Sequence, residues 1–193
     1  MEMARKMARR NIDIFLKARV EKVIVASAGC GSAMKEYREL LSNDAHYREK
    51  AQQFSEMTVD ITEFLVSLPF RPPEALIPRK VTYQDPCHLA HAQRITSQPR
   101  DILRSIPGIE LVEMENSTAC CGAAGIYSFV QPTLSRSILE SKMETIAATG
   151  ADTLATANPG CMLQLETGLR ITGIPGLTFH VVELLAEAYV AEE

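Results

Sequence analysis

Two stretches of this chain lie on one another without a gap: residues 7–30, MARRNIDIFLKARVEKVIVASAGC, and residues 138–161, ILESKMETIAATGADTLATANPGC, at an offset of 131. Each reads as a helix, then an apolar strand (VEKVIVAS; ADTLATAN), then a small-residue turn ending in Gly-Cys. Beyond the cysteines come two more helical stretches, GSAMKEYRELL and MLQLETGLR. The copies then reach DITEFLVSL and HVVELLAEA, with Glu63 and Glu183 in equivalent places on faces expected to be exposed. Pairwise identity is low, so the order of elements and the placed cysteine carry the repeat. Moved back by the same offset, the partner of Cys121 falls before residue 1, so the first copy is expected to lack its front half.

Between the copies, SLPFRPPEALIPRK holds four of the ten prolines, which restrict the backbone and cannot continue a helix. The expected division is therefore residues 1–68 as the C-terminal half of a first unit, 69–80 as a proline-rich linker, and 81–193 as a complete second unit. In the second unit KVTYQD reads as a strand, DPCHLAHAQRI as the start of a helix, and IELVEM as another strand. A polar turn follows at Asn116, Ser117 and Thr118, and QPTLSRSILESKMETIAATG reads as a long helix with Pro132 in its first turn. Strands alternating with helices predict an α/β fold: parallel sheets flanked by helices, in two related βα units of which the first is incomplete.

The formal charge of −4 and pI near 5.7 show none of the basic excess that nucleic acid would select. No run approaches the roughly 18 apolar residues of a membrane span, and MEMARKMARR lacks the apolar core of a signal peptide. A cytoplasmic chain is expected. In that reducing compartment five cysteines point to metal or redox chemistry rather than to a disulfide framework.

Cys87, the Cys120 and Cys121 pair, and Cys161 each follow a predicted strand and precede a predicted helix. Ligands bind at the carboxyl ends of strands in open parallel sheets, so four thiols from three loops are expected to meet on one rim. Helix N-termini nearby would favour thiolate over thiol. Gly122 and Gly125 let the backbone turn tightly beside the pair, and Gly160 is read as doing the same before Cys161. Structural zinc usually draws its thiols as short C-x(2-4)-C pairs, whereas 32 residues separate Cys87 from Cys120 and 39 separate Cys121 from Cys161. An iron–sulfur cluster spreads several irons over a wider volume, so adjacent cysteines can serve different irons.

The order DPCHLAH, ACCGAAG, NPGCMLQ resembles the cysteine-rich CCG domain family found in heterodisulfide reductases and related electron-transfer proteins. SAGCGSAMKEY, YQDPCHLAHAQ, TACCGAAGIYSFVQP, ATANPGCMLQLETG and HVVELL are most similar to the C-terminal part of glycolate oxidase iron–sulfur subunits. The resemblance implies an iron–sulfur cluster, 4Fe-4S ahead of 2Fe-2S, held by Cys87, Cys120, Cys121 and Cys161 beside Gly122 and Gly160. It implies electron relay from a flavin on a partner subunit, which oxidises glycolate or a similar 2-hydroxy acid, to a quinone or another acceptor. No catalytic residue on this chain is implied. The complex would act in the cytoplasm or peripherally at the inner face of the membrane. The family's terminal CxxC reads CMLQ here: Gln164 has no thiolate, and Ala33 takes the same place after Cys30, so the five-thiolate cluster of the heterodisulfide reductase type is not implied. Cys30 is assigned by repeat symmetry to an incomplete first site.

Two other classes remain open on the residues alone: a zinc-bound, non-redox scaffold for partner subunits, and a thiol enzyme using Cys120 or Cys121. His88 and His91 fall close enough to Cys87 to reach the rim, though capping, core or surface roles are the commoner ones. Asp85 and Asn158 are expected to orient the cysteine loops through side-chain to backbone hydrogen bonds. Tyr127 and Phe129 are read as helix packing. An exposed apolar face on the incomplete unit would drive dimerisation.

Overall fold

The computed structural model describes residues 1–192. The first part of the chain runs α1 (Glu2–Lys17), β1 (Val23–Val25), α2 (Ala28–Lys35), α3 (Tyr37–Leu40), α4 (Arg48–Met57), β2 (Thr58–Asp60) and α5 (Ile61–Ser67). After an extended proline-rich stretch come β3 (Arg79–Tyr83), a π-helical turn (His88–Ala92), α6 (Ser97–Ser105), β4 (Ile109–Leu111), α7 (Tyr127–Val130) and α8 (Pro132–Thr149). The chain closes with β5 (Thr153–Thr156), α9 (Pro159–Thr172), β6 (Leu177–His180) and α10 (Val181–Val190).

All strands pair in parallel. β1 pairs with β2, and a second sheet has the order β4-β3-β5-β6. The helix–strand–helix series that the repeat predicted is present twice, as α1-β1-α2 and α8-β5-α9. β5 is buried at every position because β3 and β6 flank it and helices cover both faces, the environment that TLAT's lack of alternation suits. β1 has a neighbour on one side only, and Ile24 is 44% exposed.

Local signals account for the long elements. α8 starts with Pro132 in its first turn and stops at Gly150, whose φ of +59° is left-handed and lets its N–H cap Ala147. α10 opens with a capping box: His180 Nδ1 accepts from the Val182 N–H, and Glu183 reaches back to the His180 N–H at 2.7 Å. Glu183 is thus an exposed residue with a structural task, and Glu63 forms an ion pair with Lys35 at 3.2 Å. In the first unit the core gathers on Phe54, stacked against Tyr37 at 5.5 Å and tilted to Phe15 at 5.7 Å.

Two expected elements are shorter than their patterns. DPCHLAHAQRI yields only the π-helical turn, because Arg94 takes a φ of +59°, where a helix cannot continue, and α6 begins afresh at Ser97. IELVEM keeps only Ile109–Leu111 as strand. Among the described residues no helix is long and apolar enough to cross a membrane.

The two units meet at equivalent positions. Ser27 Oγ donates to Asn158 Oδ1 at 3.3 Å, and these residues stand 131 apart, the repeat offset itself. Gly29 N–H also donates to Asn158 Oδ1, and Ala28 N–H to the Ala157 carbonyl, each at 3.3 Å. The α5 and α10 N-caps, Asp60 and His180, lie near one another and are both almost fully buried.

Candidate functional site

A cavity of about 610 Å³ opens at the carboxyl ends of these strands. Its wall includes Cys30, Cys87, Cys120, Cys121, Cys161 and Gln164, with Gly160 and Asn158 beside them. All five cysteines are free thiols, and the four anticipated ligands come from three loops, as the strand-end argument requires. Cys30, which symmetry assigned to a separate site, stands on the wall of this same cavity.

The four thiols stand close enough to perturb one another's ionisation. Cys87 and Cys121 are both pushed up, each first by the hydrogen bond it gives Cys120; for Cys121 the bond to Cys161 adds to this, and burial raises both. Cys120 is held far below its ordinary range, by Cys121 first and then by Cys87. Cys161 is also lowered, mainly by Cys121 and further by the Asn158 amide. Neighbouring thiols thus push one another in opposite directions, two up and two down, as crowded ionisable groups at one site do. Gly122 N–H donates to Cys120 Sγ and Asn158 Nδ2 to Cys161 Sγ, each at 3.3 Å.

Backbone placement of the pair rests on Gly122. Its φ is +91°, and a Cβ there would meet the Ser135 carbonyl oxygen at 2.5 Å, so both conformation and space demand glycine. Gly160 corrects the expectation made for it. It is not a turn glycine but lies in the first turn of α9, where a Cβ would meet only the Asn158 amide at 3.4 Å. Gln164 hydrogen-bonds Ser135 Oγ at 3.1 Å, and Ser135 donates to the Gly122 carbonyl at 2.8 Å. Gln164 thus braces the Cys-Cys-Gly loop through Ser135.

Asp85 is also used differently from the expectation. It is 1% exposed and forms a two-pronged ion pair with Arg100 at 2.8 and 2.7 Å, rather than acting chiefly through side-chain to backbone bonds. Its own N–H donates to the Ser117 carbonyl, which ties the Cys87 loop to the turn before Cys120. Among the described residues Asn158 makes no side-chain to backbone bond within the loop it precedes; it accepts from Gly29 N–H across the seam and addresses Cys161 through the sulfur. His88 Nδ1 lies 3.7 Å from Cys87 Sγ, whereas His91 faces the Thr118 carbonyl at 3.4 Å. Phe129 does not pack in the interior: it is 84% exposed on the cavity wall.

Two charged groups behind the loops escaped the sequence argument. Arg100 was not singled out, and Lys142 is 3% exposed on the inner face of α8. The signal for Lys142 was legible, since it shares a helical stripe with Ser135, Leu139, Met143 and Ile146, all buried.

Among the described residues no three His, Cys, Asp or Glu side chains are already gathered about one metal-ion position. An all-cysteine donor set, N–H donors aimed at sulfur, and an adjoining cavity suit a sulfur-rich cluster.

The cysteine-rich domain family, CCG, matches this chain over residues 1–35 and 81–166. The chain is 40% identical over 188 residues to the probable glycolate oxidase iron–sulfur subunit of Bacillus subtilis, covering 95% of this chain and 42% of that protein. It is 32% identical to the glycolate oxidase iron–sulfur subunit of Escherichia coli, covering 96% of this chain and 45% of the relative. Lactate utilization protein A of Shouchella clausii is 31% identical over 185 residues, covering 95% of this chain and 77% of that protein. The chain thus spans less than half the length of the two glycolate oxidase subunits and about three quarters of the lactate protein. With the three cysteine loops in family order and both matched segments carrying the repeated strand–turn–Cys unit, the chain belongs to the cysteine-rich CCG domain family.

Proposed function

We propose that this chain is an electron-transfer component of a complex that oxidises a 2-hydroxy acid such as glycolate or lactate, with an iron–sulfur cluster held by Cys87, Cys120, Cys121 and Cys161. The observation that carries this reading is the meeting of Cys87, Cys120, Cys121 and Cys161, delivered from the ends of three different strands, on one cavity wall. Relatives named as iron–sulfur subunits of glycolate oxidase and as lactate utilization protein A supply the substrate class.

A bound cluster supplies one-electron transfer. The chain's own residues do the rest. Cys87, Cys120, Cys121 and Cys161 would ligate as thiolates, giving up whatever protons they hold on binding. Gly122 N–H and the Asn158 amide donate to sulfur, which lowers its basicity and favours the reduced, more negative state. Gln164 and Ser135 hold the Cys-Cys-Gly loop in place. Substrate oxidation is assigned to a flavin-bearing partner, with a quinone or another carrier as acceptor and the cytoplasm as the place of action.

The test is anaerobic iron and acid-labile sulfide analysis of the expressed chain, with visible absorption before and after dithionite. Stoichiometric iron and sulfide with bleaching are expected. Zinc in their place, colourless and without sulfide, would overturn the reading in favour of a structural metal scaffold.

A further inference from the structure

Lys142 is a buried cation standing behind the cysteine loops. Its Nζ donates to the Asn116 and Ser117 carbonyls at 2.8 and 3.2 Å and lies 3.9 Å from Met114 Sδ. All three partners are neutral, and among the described residues Lys142 forms no ion pair. The one buried carboxylate in this quarter, Asp85, is already held by both prongs of Arg100. A buried charge without a counter-charge is expensive, so something nearby must offset it.

What lies nearby is sulfur. Cys120 lines both the thiol cavity and a smaller cavity of about 380 Å³ that Lys142 also lines with Asn116, Ser137 and Ser141. Cys120 is therefore the wall that the lysine's cavity shares with the thiol site. Burial pushes the ammonium down, and the groups that push it back up are Cys121, Asp85, Cys120 and Cys161, three of them cysteines of the site.

Resting on the proposed function, we propose that Lys142 is an electrostatic positioning residue: its fixed positive charge behind Cys120 compensates the negative sulfur site and raises the reduction potential of the cluster held there. Reduction adds one electron, supplied by the reductant, to a centre that is already anionic; a nearby cation stabilises the added charge, so its removal must shift the equilibrium toward the oxidised form.

The experiment uses the full chain, reconstituted anaerobically with ferrous iron and sulfide, and reads the midpoint potential by dithionite titration followed in the visible spectrum. Lys142→Gln keeps an N–H donor and loses the charge; Lys142→Arg keeps the charge. A shift of about tenfold or more in the one-electron equilibrium, about 59 mV toward negative potential, is expected for the glutamine variant. The arginine variant should stay within about threefold of the parent. Ser141→Asp, exposed on the cavity shared with Lys142, leaves the lysine in place and should move the potential in the same direction by less, which serves if the glutamine variant does not fold. Unchanged potentials in Lys142→Gln, or in Ser141→Asp where it stands in, would reduce the lysine to a clasp on the Asn116–Ser117 turn and overturn the proposal. If the parent chain takes up no cluster, the function proposed above and this proposal fall together, whereas a bound cluster whose potential ignores Lys142→Gln sinks this proposal alone.

Discussion

The turn at Ser27–Cys30 and the turn at Asn158–Cys161 are built to one plan, yet their surroundings diverge. In the second unit the strand before the turn lies between two neighbours, and three further cysteines arrive from loops on its own sheet. In the first unit the strand has one neighbour and the turn brings a single exposed thiol to the shared cavity. The difference teaches that the strand–turn–Cys unit supplies position, and that chemistry depends on what the adjoining strands deliver. Polar reinforcement follows the same division: the buried Asp85–Arg100 pair stands behind Cys87, whereas the first unit's Lys35–Glu63 pair is half exposed.

The largest contrast is expected in metal content. Cys121→Ser should lower bound iron by about tenfold or more, while Cys30→Ser, its thiol exposed at the wall, should retain most of it; iron analysis of both proteins decides, and equal losses would make the two units partners in one site. Next comes stability in urea. Asp85→Asn takes the buried carboxylate from Arg100, which keeps Glu113 at 2.9 Å on its outer side, and should cost about 1.5–3 kcal/mol, against about 0–1 kcal/mol for Glu63→Gln, whose ion pair is open to solvent. Gly122→Ala should cost about 1–3 kcal/mol through its positive φ, with the close approach to Ser135 adding to this. Gly29→Ala has its nearest neighbour at 3.8 Å and no such φ, and should fall within about 0.5 kcal/mol of the parent.

The smallest effect separates the two N-caps by the sign of their pH dependence. Burial lowers the pKa of His180, so the unfolded chain binds more protons and stability falls as pH drops below about 6.5. Burial raises the pKa of Asp60, so the folded chain binds more protons and that carboxyl favours folding in acid, with the benefit lost as pH rises through its folded value. His180→Asn should therefore flatten the acid limb of a urea-stability profile, and Asp60→Asn should steepen it.

Much of this architecture was legible because it is periodic or punctuated. The repeat gave both strand–helix series, Pro132 and Gly150 bracket α8, and the cysteines mark the three loops that meet. What could not be read were the cross-chain relations. Arg100 and Asp85 are 15 residues apart, and nothing in their separate surroundings says that one guanidinium will close over one carboxylate. Gln164 looked like a missing ligand; only the folded chain brings it to Ser135, 29 residues away, as a brace. Gly160 misled for a different reason: glycine before cysteine suggests a turn, but Pro159 had already begun the helix. Phe129 misled because a short helix of four residues has too little surface to bury an aromatic that faces a cavity.

The contact between Ser27 and Asn158 carries a meaning beyond its single hydrogen bond. The Asn158 side chain accepts from Ser27 and Gly29 of one cysteine turn and donates to the Cys161 sulfur of the other. One amide thus couples the two turns, so a change that loosens it is felt on both sides of the cavity at once.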